Sequence, residues 1–284
     1  MENNTMSSKT IYISDLDGTL LNEKAEISDY TADTLNKLIA NGLQFSFATA
    51  RTAATVVKMT EKINIELPVV LMNGALIYDI KNDKYINVEA IERGAVEKIA
   101  SAMKRHDISG FAYTIENGRM KTYYDELKTS AMREFYNERR EKFNKQFTRL
   151  EKFDEIAERP VVYFSFLNSE EKLKPMFEEL SKIGGITIEY YRDIYDTDRW
   201  YLELLSDKAS KYHAVNFLRG YMSADVIVGF GDNLNDIPLF KACDKRYAVE
   251  NANPTLKELA DDVIESNRND GVARFLEYLV KESN

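Results

Sequence analysis

Residues 14–20 read Ser-Asp-Leu-Asp-Gly-Thr-Leu, directly after a short apolar run, Ile11-Tyr12-Ile13. Two carboxylates two positions apart, Asp15 and Asp17, sit where a buried strand is expected to end. Such a pair can hold a hard divalent cation, or attack phosphorus with one carboxylate while the other moves a proton. A second acidic stretch, Gly231-Asp232-Asn233-Leu234-Asn235-Asp236, follows the apolar run 226–230. Asp232 is placed to complete a cation site with Asp15, and Asp236 suits the N-cap region of the next helix. Three acids and an Asn around two strand ends form a hard-oxygen donor set, magnesium before zinc, because neither His nor Cys is close in sequence. Thr49-Ala50-Arg51 follows a third apolar run, and a hydroxyl with fresh helix N–H groups suits a phosphate oxygen. Lys211 stands at the expected start of a helix within residues 206–218, where an ammonium can neutralise a transferring phosphoryl group.

These clusters need a scaffold that brings strand ends together. The first third alternates expected strands (10–14, 43–48, 68–72) with expected helices (29–41, 52–62), a pattern that implies a parallel sheet flanked by helices. The pattern returns near the C-terminus, with strands at 226–230 and 247–249 and helices at 236–242, 256–261 and 272–281. In an open parallel sheet, ligands bind beyond the carboxyl ends of the strands, where all four polar clusters fall. Residues 83–205 differ, being richer in charge and aromatics. Expected helices at 96–105, 126–144 and 169–182 alternate there with expected antiparallel strands at 110–115, 161–167, 187–191 and 200–204. The expected fold class is α/β: a Rossmann-like parallel-sheet core from residues 1–82 and 206–284, with an inserted α+β domain over 83–205.

The 284 residues can bury a substantial core, and two domains or one large one are expected. A formal net charge of −9 argues against general binding of nucleic acid or an anionic membrane, so an anionic substrate must be drawn by a local cation and a few placed basic groups. The single cysteine, Cys243, rules out an intrachain disulfide. Residues 1–9 lack a secretory apolar stretch and no run is apolar enough to span a bilayer, so a cytoplasmic location is expected.

Asp15-Leu16-Asp17-Gly18-Thr19, the Thr49 turn, Lys211 and the Gly-Asp-x-x-Asn-Asp at 231–236 resemble, in order and spacing, the four motifs of the haloacid dehalogenase superfamily. The resemblance is to its Cof-type (subfamily IIB) phosphatases, which carry a large α+β cap (C2B type) between the second and third motifs, and it spans nearly the whole chain. Asn73-Gly-Ala-Leu-Ile-Tyr-Asp, residues 203–215, Val249-Glu-Asn-Ala and Ser266-Asn-Arg-Asn-Asp-Gly-Val-Ala add to it. It implies a Mg2+-dependent phosphatase for small phosphorylated metabolites, sugar phosphates especially, with the cap selecting the leaving group. Asp15 would be the nucleophile that forms an aspartyl-phosphate, and Asp17 the acid and then the base. Asp15, the Asp17 backbone carbonyl and Asp232 would hold the metal. The Leu16 N–H, Thr49, the Ala50 N–H, Lys211 and Asn235 would hold the phosphoryl oxygens, with Asp236 orienting neighbours. Three positions depart from the family pattern: Ala50, Tyr212 and Glu250 stand where glycine is usual.

Two other functions fit the same motifs, a sugar phosphomutase and a non-catalytic module that accepts phosphate on Asp15. A calcium loop is a poor fit, because its required sixth-position glycine is Leu20. Arg51 is as readily a structural ion pair as a site residue, and Asn73-Gly74 as readily a turn as a ligand contact. Lys208 competes with Lys211, but the register of Glu203 and Ala214 favours Lys211. Residues 133–153 interleave basic and aromatic residues with four Glu, which suits a solvated helical face better than nucleic-acid binding. His106 and His213 are isolated, Cys243 is expected in the core, and Trp200 with Tyr190 and Tyr191 is expected to pack the inserted domain.

Overall fold

A computed structural model of the chain describes residues 9–193 and 198–282. The polar N-terminal segment 1–8 lies outside the described residues. In chain order the first part is β1 (Thr10–Ser14), α1 (Asp29–Ala40), β2 (Gln44–Phe47), α2 (Ala53–Met59), β3 (Val69–Leu71), β4 (Leu76–Asp79) and β5 (Lys84–Val88). The middle comprises α3 (Arg93–His106), β6 (Phe111–Glu116), β7 (Arg119–Tyr124), α4 (Ser130–Phe143), β8 (Phe147–Arg149), β9 (Val161–Asn168), α5 (Glu170–Leu180), β10 (Ile186–Arg192) and β11 (Trp200–Ser206). The last part is α6 (Lys211–Met222), β12 (Val226–Gly231), α7 (Ile237–Ala242), β13 (Lys245–Val249), α8 (Pro254–Leu259), β14 (Asp262–Ile264) and α9 (Gly271–Glu282).

Two compact units result: residues 1–87 with 210–284, and residues 88–209. The joints fall a few residues beyond the expected 82/83 and 205/206. On the first side the reason is that β5 joins the small sheet β3-β4-β5, which keeps residues 83–87 with the α/β unit.

The α/β unit is built on a sheet of order β14-β13-β12-β1-β2, with parallel pairing throughout. A parallel bridge from Ala48 to Val70 leads on to β3. Flanked by β12 and β2, β1 is a central strand, which explains why its inward residues are unbroken hydrophobes. Ile11, Ile13, Phe45, Phe47, Ile227 and Phe230 are all fully buried, and each such side chain contributes about 1.5–3 kcal/mol by leaving water. The expected helix 256–261 is instead α8, ending at Leu259. Asp261 turns back to donate its N–H to the Arg246 carbonyl (2.8 Å), and a short edge strand, β14, follows.

The unit of residues 88–209 has a six-stranded sheet of order β10-β11-β9-β6-β7-β8, antiparallel except for β7 with β8. Ala112, Phe164, Phe166, Leu202 and Leu204 from one face pack with Val96, Ile99 and Met103 of α3 and Leu173 and Met176 of α5. Gly110 is required at the edge of this layer, because a Cβ there would collide with the Phe166 ring. Helix α4 begins at residue 130, later than the expected 126, because Thr129 caps it by accepting the Met132 N–H (3.1 Å). The expected helical face over 133–153 ends at Phe143, and residues 147–149 form β8. Trp200 and Tyr190 pack on the hydrophobic core, but Tyr191, one residue on, points to the opposite face, where its hydroxyl meets Glu203. Among the described residues no helix is long and apolar enough to cross a membrane.

Candidate active site

The carboxyl ends of the neighbouring strands β1 and β12 lie side by side, with Ser14 opposite Phe230, and the Asp15 N–H donates to the Phe230 carbonyl (2.9 Å). The residues that follow each strand therefore share one place. Asp15, Asp232 and Asp236 each offer a carboxylate oxygen, all within 4.8 Å of one another.

Lys211, the first residue of α6, enters this acidic cluster. Its Nζ lies 2.6 Å from Asp15 Oδ1 and 2.7 Å from Asp236 Oδ1. Lysine and both acids are buried. Burial alone would lower the lysine's pKa, but the Asp15 and Asp236 charges and hydrogen bonds outweigh it and hold it raised. Asp15 is pushed well above the usual carboxylate range, by burial first and then by the Asp236 charge, against the pull of Lys211. The Asp232 carboxyl is pushed up to about 6, by burial and then Asp236, with the Thr19 hydrogen bond and Lys211 opposing.

Asp236 does more than cap. It occupies the N-cap position of α7 yet gives that helix no side-chain cap. Its Oδ2 instead accepts the backbone N–H groups of Asp232 (3.0 Å) and Asn233 (3.1 Å), while Oδ1 takes Lys211. Asp236 thus fixes both the strand-end loop and the lysine, which leaves the outer oxygens of Asp15 and Asp232 as the cluster's available donors. These are hard oxygen ligands whose pKa values are raised by burial first and then by the neighbouring Asp236 charge, and they fit a small divalent cation better than a soft one.

The loop after β1 is tightly specified. Leu21 donates its N–H to the Leu16 carbonyl (2.8 Å), closing the turn, with Leu16 buried. Gly18 has φ of 79°, and a Cβ there would run into the Asp232 carboxylate. Thr19 donates its hydroxyl to Asp232 Oδ1 (2.9 Å). Asp17 faces out and is clasped by Arg51, Nε to Oδ2 at 2.7 Å and Nη2 to Oδ1 at 2.6 Å. Arg51 is thereby an ion-pair partner of the first motif.

Thr49 is buried at the end of β2. Its N–H donates to the Val70 carbonyl, its carbonyl accepts the Asn73 N–H, and its hydroxyl accepts the Arg51 N–H (3.2 Å). Asn73 is buried in a turn of three successive left-handed residues, Met72, Asn73 and Gly74, the last pressed against the Ser210 backbone. The turn thus abuts the residue before Lys211. Ala50, Asn235 and Glu250 are exposed, as is Tyr212 in the first turn of α6. The side chains that replace the usual glycines therefore occupy no packed interior. Lys208 is exposed and pairs with Glu92 (3.0 Å).

Three contributors escape a residue-by-residue reading. Asn251 donates to the Gly18 carbonyl (2.7 Å), while its Oδ1 accepts from Ser266 Oγ (3.0 Å) and the Asn267 N–H (3.1 Å). Asn267 in turn donates to the Leu21 carbonyl (2.8 Å). Asn251 and Asn267 sit on the loops after β13 and β14, at the same sheet edge. Their signal was the pair of stretches 249–252 and 266–273, whose polar residues brace the Asp15 loop.

The sequence pattern of haloacid dehalogenase-like hydrolases matches residues 12–276. A phosphatase of Bacillus subtilis, YwpJ, is 26% identical over 285 residues, covering 94% of this chain and 98% of its own length. Another B. subtilis protein, named as a 5-amino-6-(5-phospho-D-ribitylamino)uracil phosphatase, is 25% identical, covering 94% and 96%. A crystal structure from Thermotoga maritima superposes with a TM-score of 0.79 at 25% identity, covering 96% of this chain and 97% of that one. With its pattern matched from β1 to α9, the chain belongs to the haloacid dehalogenase-like hydrolase family.

Proposed function

We propose that the chain is a phosphoric monoester hydrolase that uses Mg2+ and the Asp15 nucleophile to release phosphate from small phosphorylated metabolites, sugar phosphates among them. The observation that carries this reading is Lys211, buried between Asp15 and Asp236 with an amine–oxygen distance of 2.6 Å to Asp15. A buried ammonium keeps one carboxylate oxygen oriented, leaving the other to attack phosphorus. The named phosphatases of B. subtilis support the reaction class, and the phosphorylated ribityl chain in one name supports the substrate class.

Asp15 and Asp232, with the Asp17 backbone carbonyl, would hold Mg2+. When bound, the ion supplies the positive charge that two carboxylates beside a phosphate dianion require. Asp15 Oδ2 forms the new bond to phosphorus as the ester oxygen leaves, giving an aspartyl-phosphate. Asp17 donates its proton to that leaving oxygen, then takes a proton from the water that attacks phosphorus and restores Asp15. Thr49 already accepts the Arg51 N–H, so its hydroxyl hydrogen is available to a phosphoryl oxygen. The Leu16 and Ala50 N–H groups, Lys211 and Asn235 are assigned the remaining oxygens. Arg51 positions Asp17 through its two hydrogen bonds and must yield it for proton transfer. Phosphoryl transfer proceeds through a loose transition state, so positioning and charge neutralisation carry most of the rate.

The test is phosphate release from a panel of phosphorylated sugars, nucleotides and cofactors with Mg2+, repeated after chelation. Multiple turnover without a bisphosphate activator, abolished by chelator, is expected. Undiminished turnover in chelator would overturn the reading.

A further inference from the structure

Within the unit of residues 88–209, a cavity of about 430 Å³ opens at the C-terminal end of α3. That volume lies in the range of small-molecule sites. Three segments wall it: the last turns of α3 with Ile108, the loop between β7 and α4, and the start of the 3-10 helix Phe153–Glu158. Ala100, Met103 and Ile108 are buried, and Phe153 packs against the same hydrophobic core, so the floor is apolar.

The rim is charged, and its pairing is incomplete. Lys128 donates to Asp107 Oδ1 (2.5 Å) and more weakly to the Asp107 carbonyl (3.5 Å), which ties the loop to the residue that ends α3. Asp125, on the same loop, differs. Its Oδ1 is buried, and among the described residues no donor reaches that oxygen. The Arg149 guanidinium meets the Asp125 backbone carbonyl (2.8 Å) instead of the carboxylate. Lys128 feels the Asp125 charge only through space, behind its Asp107 hydrogen bond. Ser109 stands at the same end of the β6–β7 pair, since Phe111 faces Tyr124. It is 3% exposed, and its hydroxyl is unpartnered too.

A carboxylate with a buried, unmet oxygen calls for a hydrogen-bond donor that carries positive charge. The dipole of α3, negative at this end, favours the same sign. Asp107, Asp125, Glu151 and Asp154 outnumber Lys104, Lys128 and Lys152 around the opening, so the local field is negative as well.

We propose that this cavity binds a small ligand through a primary ammonium group, which pairs with the Asp125 carboxylate while an apolar body lies against Met103, Ile108 and Phe153. The charge of a carboxylate is shared by its two oxygens, so an ammonium on the cavity side offsets what Oδ1 lacks. An anionic or neutral ligand would leave that charge uncompensated. Two sources carry this chemistry, an amino acid and a plain amine. Lys104 and Lys152, both on the rim, would strengthen the first by meeting its carboxylate.

The experiment is a titration of the full chain followed in backbone proton–nitrogen correlation spectra. Its three probes share one branched aliphatic body: leucine, isoamylamine, which lacks the carboxylate, and isocaproate, which lacks the ammonium. Each is taken to about 20 mM, a concentration that reveals millimolar affinity. We expect saturable shifts of the Ile108, Asp125 and Phe153 amides with leucine or isoamylamine, at a dissociation constant of about 5 mM or less, and none with isocaproate. Tighter binding of leucine marks the amino acid as the source, and equal or tighter binding of isoamylamine the plain amine. Asp125→Asn keeps the side chain's size and the backbone acceptor for Arg149. It should weaken binding about tenfold or more while the rest of the spectrum holds its place. Absence of saturable shifts with both ammonium probes would overturn the proposal. So would isocaproate binding as tightly as isoamylamine, or unchanged affinity in Asp125→Asn.

Discussion

Lys211 is the residue on which the acidic cluster depends most. Replacing it with Met leaves Asp15 and Asp236 buried beside each other without their cation. Removing one partner of a buried ion pair typically costs about 3–5 kcal/mol. Lys211→Met should therefore lower the urea midpoint markedly as well as abolish turnover, whereas Lys208→Met, at an exposed pair, should do neither. Asp232 supplies a pH test. Its folded carboxyl stands at about 6, above the ordinary 3.8, so the fold favours its protonated form. In metal-free protein that contribution to stability is present below about pH 4 and is lost as pH rises through about 6. Cation binding needs the ionised form and strengthens over the same window. The rise in melting temperature on adding Mg2+ should be larger at pH 7 than at pH 5. An equal rise at both would remove Asp232 from the metal site.

At the scale of elements, the strand-end loops are braced by side chains from later loops. Asn251→Ala removes the hydrogen bond to the Gly18 carbonyl and releases Ser266 and Asn267. The loss should be about 1–2 kcal/mol in stability, with a larger fractional loss of kcat than of substrate affinity, measured by steady-state kinetics and denaturation. This bracing also marks where a sequence stops being legible. Strands β1 and β12 announce themselves as apolar runs because they are central and largely buried, and the acids that follow them are therefore easy to place. Strand β7, Arg-Met-Lys-Thr-Tyr-Tyr, has no clean alternation, because its position comes from pairing with β6 and β8. The three-residue strands β8 and β14 and the β4–β5 hairpin are too short or too polar to signal themselves. Asp236 reads as a cap because its spacing suits one; only the approach of α6 gives it a lysine. Asn251 and Asn267 lie more than 200 residues from the Asp15 loop they support, a proximity that exists only once the sheet has formed.

Over the whole molecule, the chain carries a formal charge of −9, so long-range steering opposes a dianionic substrate and attraction must be local. Raising salt from about 20 to 200 mM at fixed free Mg2+ shortens the screening length from about 20 to about 7 Å. We predict that kcat/KM for a phosphate monoester stays level or rises over that range. A steep fall would show a long-range positive field at odds with this charge. The inserted unit of residues 88–209 has its own sheet and its own hydrophobic core.

The most direct measurement is phosphate release by Asp15→Asn beside the unaltered chain, under saturating Mg2+ and with the best substrate of the panel. The amide preserves size and still accepts the Lys211 hydrogen bond, but it is no nucleophile toward phosphorus. We predict a loss of at least about a thousandfold in kcat, with the fold intact by circular dichroism. Turnover within a few-fold of the unaltered chain would contradict the assignment of Asp15 as the group that takes the phosphoryl.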